Sequence, residues 1–141
     1  MASIEFKLQQ LRQRIAHACA AAQRPVQSVT LLAVSKTFDA EAVRAAHAAG
    51  CVAFGENYVQ EALAKIDALD DLRAGIEWHL IGPLQSNKTR EVAVAFDWVH
   101  TIDRLKVAER LAAQRPAPLP PLNVCVQVNL SGEASKSGVA P

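Results

Sequence analysis

Two apolar patterns alternate along this chain. Ile4, Leu8, Leu11 and Ile15 recur at the spacing of one helix face, whereas residues 31–34 form a short, continuously apolar run, as buried strands do. Both patterns repeat along the chain, separated by turn-forming and helix-capping residues. The predicted strands are 29–36, 51–57, 77–81, 97–102 and 123–130, and the predicted helices are 4–22, 40–49, 59–69, 86–95 and 103–115. Helix N-caps are predicted at Ser3, at Thr37 or Asp39, at Ser86 or Asn87, and at Asp103.

This alternation predicts an α/β fold with a parallel sheet and crossover helices. An open doubly wound sheet and a (β/α)8 barrel both fit that order, but two features favour the barrel. On the strand 51–57, Ala53 and Gly55 share one face while Phe54 takes the other, and small residues suit a crowded barrel lumen. Several predicted strands also end in polar groups, as strands do in barrel active sites; these are Lys36, Asn57, Asp103 and Asn129.

The chain is short for a TIM barrel, as the (β/α)8 fold is called. A closed barrel takes about 250 residues, whereas this sequence has 141 residues and five predicted strands. We therefore expect an incomplete TIM-type barrel with about five of the eight βα units. Residues 1–141 would form the N-terminal part of one barrel domain, as a fragment or a truncated gene product.

Composition and charge narrow the function classes. Half of the residues are hydrophobic and the formal net charge is +1, so the sequence lacks the basic field typical of nucleic-acid binding. No apolar run approaches the roughly 20 residues that cross a bilayer, and the first residues lack the apolar core of a signal peptide. Cys19, Cys51 and Cys125 are odd in number and widely spaced, which predicts buried thiols in a reducing compartment without disulfides or a metal site. We expect a cytoplasmic monomer that binds neither nucleic acid nor membrane.

Lys36 is the strongest candidate in the chain for a chemically reactive side chain. It ends the apolar strand 29–36 and shares a face with Leu32 and Val34. Burial disfavours the charged form of an amine, and a neutral amine can attack an aldehyde to form a Schiff base. A strand-end lysine more often extends to water, so this strand alone favours the structural interpretation.

Residues 82–89, Gly-Pro-Leu-Gln-Ser-Asn-Lys-Thr, resemble a phosphate-binding loop between a strand and a helix. Asn87 stands where such a loop requires glycine, and Pro83 removes a backbone N–H donor. A helix start followed by Lys88 and Arg90 therefore explains the segment better than a nucleotide triphosphatase does.

Other polar residues have structural as well as functional interpretations. His79 lies within an apolar strand, where a hydrogen-bonded core histidine is the commoner case. Asn57 can cap the helix that follows it. Gln127 and Asn129 share a strand face and either pair with each other or line a polar pocket. The loop 131–138 could hold an anion, although such polar loops are more often simply solvated.

Four ordered segments together resemble one family closely. They resemble the successive signatures of the YggS/PROSC pyridoxal phosphate homeostasis proteins, and the match runs from the first helix to the last residue. The segments are 33–37 (Ala-Val-Ser-Lys-Thr), 54–61 (Phe-Gly-Glu-Asn-Tyr-Val-Gln-Glu), 78–88 (Trp-His-Leu-Ile-Gly-Pro-Leu-Gln-Ser-Asn-Lys) and 127–138 (Gln-Val-Asn-Leu-Ser-Gly-Glu-Ala-Ser-Lys-Ser-Gly).

The resemblance implies a fold similar to the N-terminal barrel of alanine racemase, with pyridoxal 5'-phosphate (PLP) held as an internal aldimine. Lys36 matches the family's Schiff-base lysine, and Asn57 matches the residue beside the cofactor at the end of the second strand. His79 falls in the third-strand signature, and Lys136 matches a lysine near the barrel mouth that makes secondary contacts with the cofactor. Members of the family are regarded as carriers or regulators of intracellular PLP without catalytic turnover. The implied partners are PLP and PLP-dependent acceptor enzymes.

The family's phosphate-binding segments, a Ser/Gly-rich loop and an Arg-Ile-Gly-type turn, lie beyond the match. The phosphate carries most of the cofactor's charge, so we expect weak or absent stable PLP binding by residues 1–141 alone. Two alternatives stay open. A PLP-dependent amino-acid racemase would need a second acid/base group, and the one tyrosine, Tyr58, lies next to Asn57. A truncated, non-functional remnant is the other, and a cooperative thermal transition would argue against it.

Overall fold

The computed structural model describes residues 2–141 as a parallel sheet with connecting helices. The strands are β1 (Leu32–Val34), β2 (Ala53–Glu56), β3 (Glu77–Leu80), β4 (Trp98–Ile102) and β5 (Asn123–Val126). The helices are α1 (Ile4–Ala21), α2 (Ala40–Ala48), α3 (Val59–Ala68), α4 (Thr89–Ala95) and α5 (Leu105–Gln114). Short 3₁₀ segments occupy Val26–Ser28, Asp70–Gly75 and Ser86–Lys88. Within residues 2–141, no helix is both long and apolar enough to cross a membrane.

The sheet follows the order of the sequence. β1 pairs with β2, β2 with β3, β3 with β4 and β4 with β5, all in parallel. Right-handed crossovers between neighbouring parallel strands place the connecting helices on one face of the sheet, here called the helix face; the other is the open face. β1 and β5 are the two edges, so over residues 2–141 the sheet is not closed. The predicted α/β class and incomplete barrel are therefore confirmed.

The main core lies between the sheet and the helices. Phe54 and Trp78 are register partners on β2 and β3, and their ring centroids are 5.9 Å apart. Each is 1% exposed, and burying a side chain such as Phe54 contributes about 2–3 kcal/mol. On the open face, a Cβ at Gly55 would lie 3.1 Å from Ile81 Cδ1 and 3.5 Å from Leu32 Cδ2. Gly55 therefore leaves room for the larger side chains of Leu32 and Ile81 on the open face.

The first two helices begin at predicted capping residues. Ser3 Oγ accepts the N–H of Phe6 at 3.1 Å, and Asp39 Oδ1 accepts the N–H of Ala42 at 2.9 Å. Asp39 rather than Thr37 is the N-cap of α2. Both carboxylate and hydroxyl satisfy donors that the first helical turn leaves without partners.

The other two predicted N-caps are wrong. Ser86 and Asn87 lie in a 3₁₀ turn, and α4 begins only at Thr89, whose Oγ1 donates to the Ser86 carbonyl at 3.1 Å. Asp103 does not cap α5, because its carboxylate accepts the N–H of Gly138 at 3.2 Å. In both cases a tertiary or backbone contact replaces the local side-chain cap.

The edge strands are shorter than predicted. β1 covers three residues of the predicted 29–36, and β5 covers four of the predicted 123–130. Edge strands pair on one side only, so their ends are less well fixed by the sheet. The prediction of three buried cysteines is wrong for Cys125, which is exposed on β5, whereas Cys19 and Cys51 are buried and all three are free. Burial raises the pKa of the Cys51 thiol, as expected of an inert structural cysteine.

Two arginines anchor the loops at the amino ends of the strands. The Arg115 guanidinium donates to the carbonyls of Ala93, Phe96 and Pro120 at 2.7–2.9 Å. Arg73 donates to the carbonyls of Ile76 (3.0 Å) and Ala95 (3.2 Å) and pairs with Asp97 at 3.0 Å. The amino-end cavity beside them, of about 600 Å³, therefore contains cations whose hydrogen bonds hold the protein's own backbone.

Candidate functional site

The carboxyl ends of β2 to β5 border a second cavity, the strand-end cleft. Its volume of about 530 Å³ lies in the range of small-molecule sites. Two of the four predicted site residues, Asn57 and Lys136, line it, whereas Lys36 and His79 do not. The lining residues are Asn57, 81–85, Thr101, Asp103, Arg104, Gln127 and 135–137.

Gly82 brings the ends of β2 and β3 together in this cleft. A Cβ at position 82 would overlap the carbonyl oxygen of Asn57 and lie 2.7 Å from its Cα. The Gly82 carbonyl in turn accepts a hydrogen bond from Thr101 Oγ1 at 2.8 Å. Only glycine allows this approach, so the backbone itself sets the position of Asn57 at the cleft.

Lys136 lies on a loop that Asn129 organises. The Asn129 amide donates to the carbonyls of Glu133 (2.9 Å) and Lys136 (3.3 Å), and its Oδ1 accepts the N–H of Gly132 at 3.0 Å. Gln127 Nε2 donates to the Ser137 carbonyl at 3.3 Å. The two amides therefore bind the loop backbone and do not pair with each other, and the loop 131–138 is held against the sheet.

Several side-chain donors at the cleft are not engaged by the protein. Among residues 2–141, the Asn57 amide and the Lys136 ammonium have no hydrogen-bond partner, and the N-cap position of α3 belongs to Tyr58. Asn57 therefore does not cap this helix, and the structural alternative to a binding role for this residue is wrong. The Arg104 side chain is 56% exposed, and its ion pair with Asp103 is long, with 3.9 Å between Nε and Oδ1. These groups can donate to an anionic or carbonyl-bearing ligand.

Lys36 lies one strand away from the cleft lining. Val34 pairs with Gly55, and Lys36 and Asn57 each follow two residues later, at the ends of neighbouring strands. The expectation of a buried, apolar setting is wrong, because Lys36 is exposed and Val34 is 49% exposed. The physical reason is that β1 is an edge strand, and among residues 2–141 no further strand covers its outer side.

The backbone around Lys36 forms a tight turn. The N–H of Phe38 donates to the Ser35 carbonyl at 3.1 Å, which closes residues 35–38. Thr37, the third residue of this turn, has φ 66°. A type II turn requires such a left-handed residue at that position, usually glycine, and a β-branched residue there is strained by about 1–3 kcal/mol. Contacts from outside the turn must therefore hold it.

A buried lysine supplies those contacts on one side. Lys65 of α3 is 6% exposed, and its Nζ donates to the Ser35 carbonyl at 2.6 Å. It also donates to both carboxylate oxygens of Glu56 at 3.0 Å. Glu56 is fully buried and accepts a further hydrogen bond from Ser35 Oγ. Buried charges of this kind persist only when they are paired and hydrogen-bonded.

Glu61 extends the network to the other side of Lys36. Its Oε1 is 2.9 Å from Lys65 Nζ and accepts the N–H of Thr37 at 2.5 Å. The hydrogen bond from Lys65 holds the pKa of the Glu61 carboxyl below its ordinary value. Sequence reasoning missed this cluster. The available signal was the four-residue spacing of Glu61 and Lys65 on one helix face.

His79 is on the open face, and its ring nitrogens already have partners. Nδ1 is 2.9 Å from His100 Nε2, and Nε2 is 2.7 Å from Glu77 Oε1. The ring stacks on Trp98 with centroids 5.4 Å apart. Burial, together with the charge of His79, lowers the pKa of His100. The structure therefore places His79 in a hydrogen-bonded group below the cleft.

The segment that resembles a phosphate-binding loop is used structurally. Thr89 is fully buried and bonded to the Ser86 carbonyl, and Lys88 Nζ is 3.8 Å from a Glu91 carboxylate oxygen. Neither group faces an open loop, so the geometry favours the helix-start interpretation. Within residues 2–141, no group of three or more His, Cys, Asp or Glu side chains could hold a metal ion.

Comparison with known proteins places the chain in a family. The family model for the alanine racemase N-terminal domain matches residues 7–141. The chain belongs to the alanine racemase N-terminal domain family. Within it, the chain is 60% identical over 141 residues to the pyridoxal phosphate homeostasis protein of Pseudomonas aeruginosa, covering all of this chain and 60% of that protein. It is 55% identical over 140 residues to the protein of the same name from Escherichia coli, covering 99% and 60% of the two chains.

Two solved structures agree with the fold. PipY of Synechococcus elongatus, solved with PLP bound, superposes with a TM-score of 0.79 at 42% identity, over 97% of this chain and 58% of PipY. A protein of Bifidobacterium adolescentis gives a TM-score of 0.85 at 36% identity, over 96% and 58% of the chains. The family that the four sequence segments predicted is confirmed. The chain spans about 60% of the length of these curated relatives.

Proposed function

We propose that this chain binds PLP at the carboxyl ends of its strands, with Lys36 as the amine that holds the cofactor. The main support is the concentration of unengaged donors at one end of the sheet. Lys36, Asn57 and Lys136 all lie there, and none of their side-chain donors has a partner within residues 2–141. When bound, PLP supplies an aldehyde that condenses reversibly with a primary amine and releases water.

The donor set suits a ligand with an anionic phosphate and a carbonyl group. Lys136 and Arg104 bring positive charge to the strand-end cleft, and the Asn57 amide can donate to a ring hydroxyl or carbonyl oxygen. Lys36 and Asn57 end neighbouring strands, so an amine and an amide lie at the same edge of the sheet. In this proposal His79 lies on the open face of the sheet, beneath the bound cofactor's cleft.

The proposed role is PLP homeostasis without turnover, in which PLP is held reversibly and passed to acceptor enzymes. The relatives carry the name of homeostasis proteins, and the racemase alternative is not favoured. Tyr58, the tyrosine that a racemase would need as its second acid/base group, is 55% exposed and lies at the start of α3. The proposal includes a monomer and one barrel-type domain over 1–141. It also includes a cytoplasmic location, which the three free cysteines suit.

The test is a visible difference spectrum of the purified chain titrated with up to one equivalent of PLP and read without desalting, because residues 1–141 alone are expected to hold the cofactor weakly. We expect a band from lysine-linked cofactor in the wild-type chain and its loss in Lys36→Ala. Lys106→Ala is the matched control, because Lys106 is an exposed lysine on α5, away from the strand ends. Retention of the band in Lys36→Ala would overturn the assignment of the amine.

A second measurement tests the proposed absence of turnover. Incubation with PLP and L-alanine in deuterium oxide should leave the α-proton in place, as followed by NMR. Deuterium incorporation that depends on Lys36 would contradict the non-catalytic role and restore the racemase interpretation.

A further inference from the structure

The network around Lys65 lies directly behind the two strand ends that carry Lys36 and Asn57. Ser35 is 6% exposed and Glu56 is fully buried, whereas Lys36 is exposed and Asn57 half-buried. Ser35 directly precedes Lys36, and Glu56 directly precedes Asn57. This order of buried and exposed residues is expected where side chains alternate between the two faces of a strand. The network therefore acts on the backbone that presents both side chains.

Lys65 connects the two strand ends. Its ammonium donates to the Ser35 carbonyl, at the end of β1, and to the Glu56 carboxylate, at the end of β2. All three hydrogen-bond distances are between 2.6 and 3.0 Å. A change in the position of Lys65 would therefore be transmitted to the residue before Lys36.

Glu61 restrains the residue after Lys36. It accepts the Thr37 N–H while pairing with Lys65, and Thr37 keeps its left-handed φ of 66°. Without this acceptor, the strain in Thr37 would favour relaxation of the turn. The Lys36 ammonium has no hydrogen bond or ion pair within residues 2–141 that would compensate, so its orientation depends on the backbone on both sides.

Stability alone does not explain why such charges are buried. A buried ion pair often stabilises a protein no better than apolar side chains of similar volume. This one instead fixes the geometry of a single turn. We propose that Lys65 and Glu61 are positioning residues for Lys36: they fix the turn that presents its amine to the cofactor. This role rests on the proposed function, because it concerns the same amine.

The experiment measures the reaction rate of individual lysines within one molecule. PLP is added for timed intervals, borohydride reduces the lysine adducts, and peptide mass spectrometry locates the label. The exposed Lys7 and Lys106 serve as internal references. In the wild-type chain we expect Lys36 to be labelled faster than either reference. Because trapping is irreversible, the measurement does not require tight binding.

The variants separate the acceptor from the charge of Glu61. Its side chain is 31% exposed, so Glu61→Ala leaves less buried charge without a partner than replacing Lys65 would. We expect the ratio of Lys36 to Lys7 labelling rates to fall by about 10- to 100-fold in Glu61→Ala, because a misplacement of about 1 Å can slow a reacting group about 100-fold. Glu61→Gln keeps an oxygen for the Thr37 N–H and should retain part of the rate.

The matched control is Asp71→Asn. It removes an ion pair of similar length, 2.7 Å to Arg44, between side chains exposed on the outer surface. The labelling ratio should not change. Amide hydrogen exchange without PLP gives an independent measurement: protection of the Thr37 N–H should be lost in Glu61→Ala and kept in Asp71→Asn.

The outcomes distinguish the two proposals. Equal labelling of Lys36 and Lys7 in the wild-type chain would overturn the proposed function and, with it, the positioning role. Preferential Lys36 labelling that persists unchanged in Glu61→Ala and Glu61→Gln would overturn the positioning role alone. A lower melting temperature with an unchanged labelling ratio would likewise show that Glu61 serves stability only. If Glu61→Ala does not fold, Glu61→Leu takes its place, because it also removes the acceptor for the Thr37 N–H but keeps the bulk of the side chain. An unchanged labelling ratio in Glu61→Leu then overturns the positioning role.

Discussion

The two ends of the sheet use positive charge in different ways. At the amino ends, Arg73 and Arg115 donate to backbone carbonyls and to Asp97, so their guanidinium groups hold loops together. At the carboxyl ends, Lys36 and Lys136 are exposed and without partners among residues 2–141. A cation engaged by the protein's own backbone contributes to stability, whereas one without a partner can bind a ligand.

Lys65 is the exception at the carboxyl end, and the largest effect is expected there. Lys65→Met leaves the fully buried Glu56 carboxylate without its cation, which should lower the free energy of unfolding by about 3–5 kcal/mol. Lys36→Met should change it by less than about 0.5 kcal/mol. Urea titrations followed by circular dichroism measure both values. Equal losses would remove the distinction between engaged and unengaged lysines.

Arg115→Met tests the amino end. Three carbonyls lose their donor, so we expect a loss of about 3 kcal/mol in the free energy of unfolding. Arg104→Met is its counterpart in the strand-end cleft and should cost less than about 0.5 kcal/mol, since that guanidinium is 56% exposed. Thermal and urea denaturation report the difference. If Arg104→Met were the more damaging change, the proposed division between the two ends would be wrong.

Gly82→Ala examines whether the carboxyl end also has rigid parts. The added Cβ would overlap the Asn57 carbonyl, so we expect a loss of about 2 kcal/mol and a displaced Asn57. Gly132→Ala is the control: nothing lies within 4 Å of its Cβ, and only its φ of 71° is unfavourable, at about 1 kcal/mol. Denaturation gives the energies, and amide chemical shifts at Asn57 give the displacement. An unchanged amide chemical shift at Asn57 would show that the backbone at residue 82 moves instead, and that this end of the sheet is not rigid.

The smallest effect is expected from His100, which lies between the two ends. Burial lowers its pKa, so the folded state favours the neutral ring and the unfolded chain takes up the proton first as pH falls. The free energy of unfolding should therefore be greatest above the ordinary histidine pKa of about 6.5 and decrease as pH falls through that value toward the lower folded pKa. His100→Gln should reduce this slope, whereas His17→Gln, on the exposed side of α1, should not. If the free energy of unfolding depended on pH equally in both variants, groups other than His100 would cause the dependence.

The sequence predicted the architecture well because the patterns involved are local. Apolar periodicity located all five strands, and the side-chain alternation at Phe54 and Gly55 correctly separated the helix face from the open face. Ser3 and Asp39 cap their helices because the contact spans only three residues. Local predictions hold at these positions, where no other contact competes for the capping side chain.

Two of the errors arise from the arrangement of segments that are distant in the sequence. Asp103 bonds to Gly138 instead of capping a helix, and Lys36 is exposed because of where β1 lies in the sheet. The Lys65 network was missed because it joins three segments, and one member, Glu56, looks from sequence like any strand-end carboxylate. The roles of Lys36, Asn57, His79 and Lys136 toward a cofactor stay predictions.

The strand order also bears on how the chain acquires its fold. Every strand pairs with the one synthesised just before it, so each new βα unit finds its partner already formed. Pairing between consecutive units lowers the entropy cost of loop closure relative to a sheet whose neighbouring strands are distant in the sequence. Over residues 2–141, every contact between neighbouring strands therefore joins adjacent βα units, and no pairing in the sheet depends on a distant part of the chain.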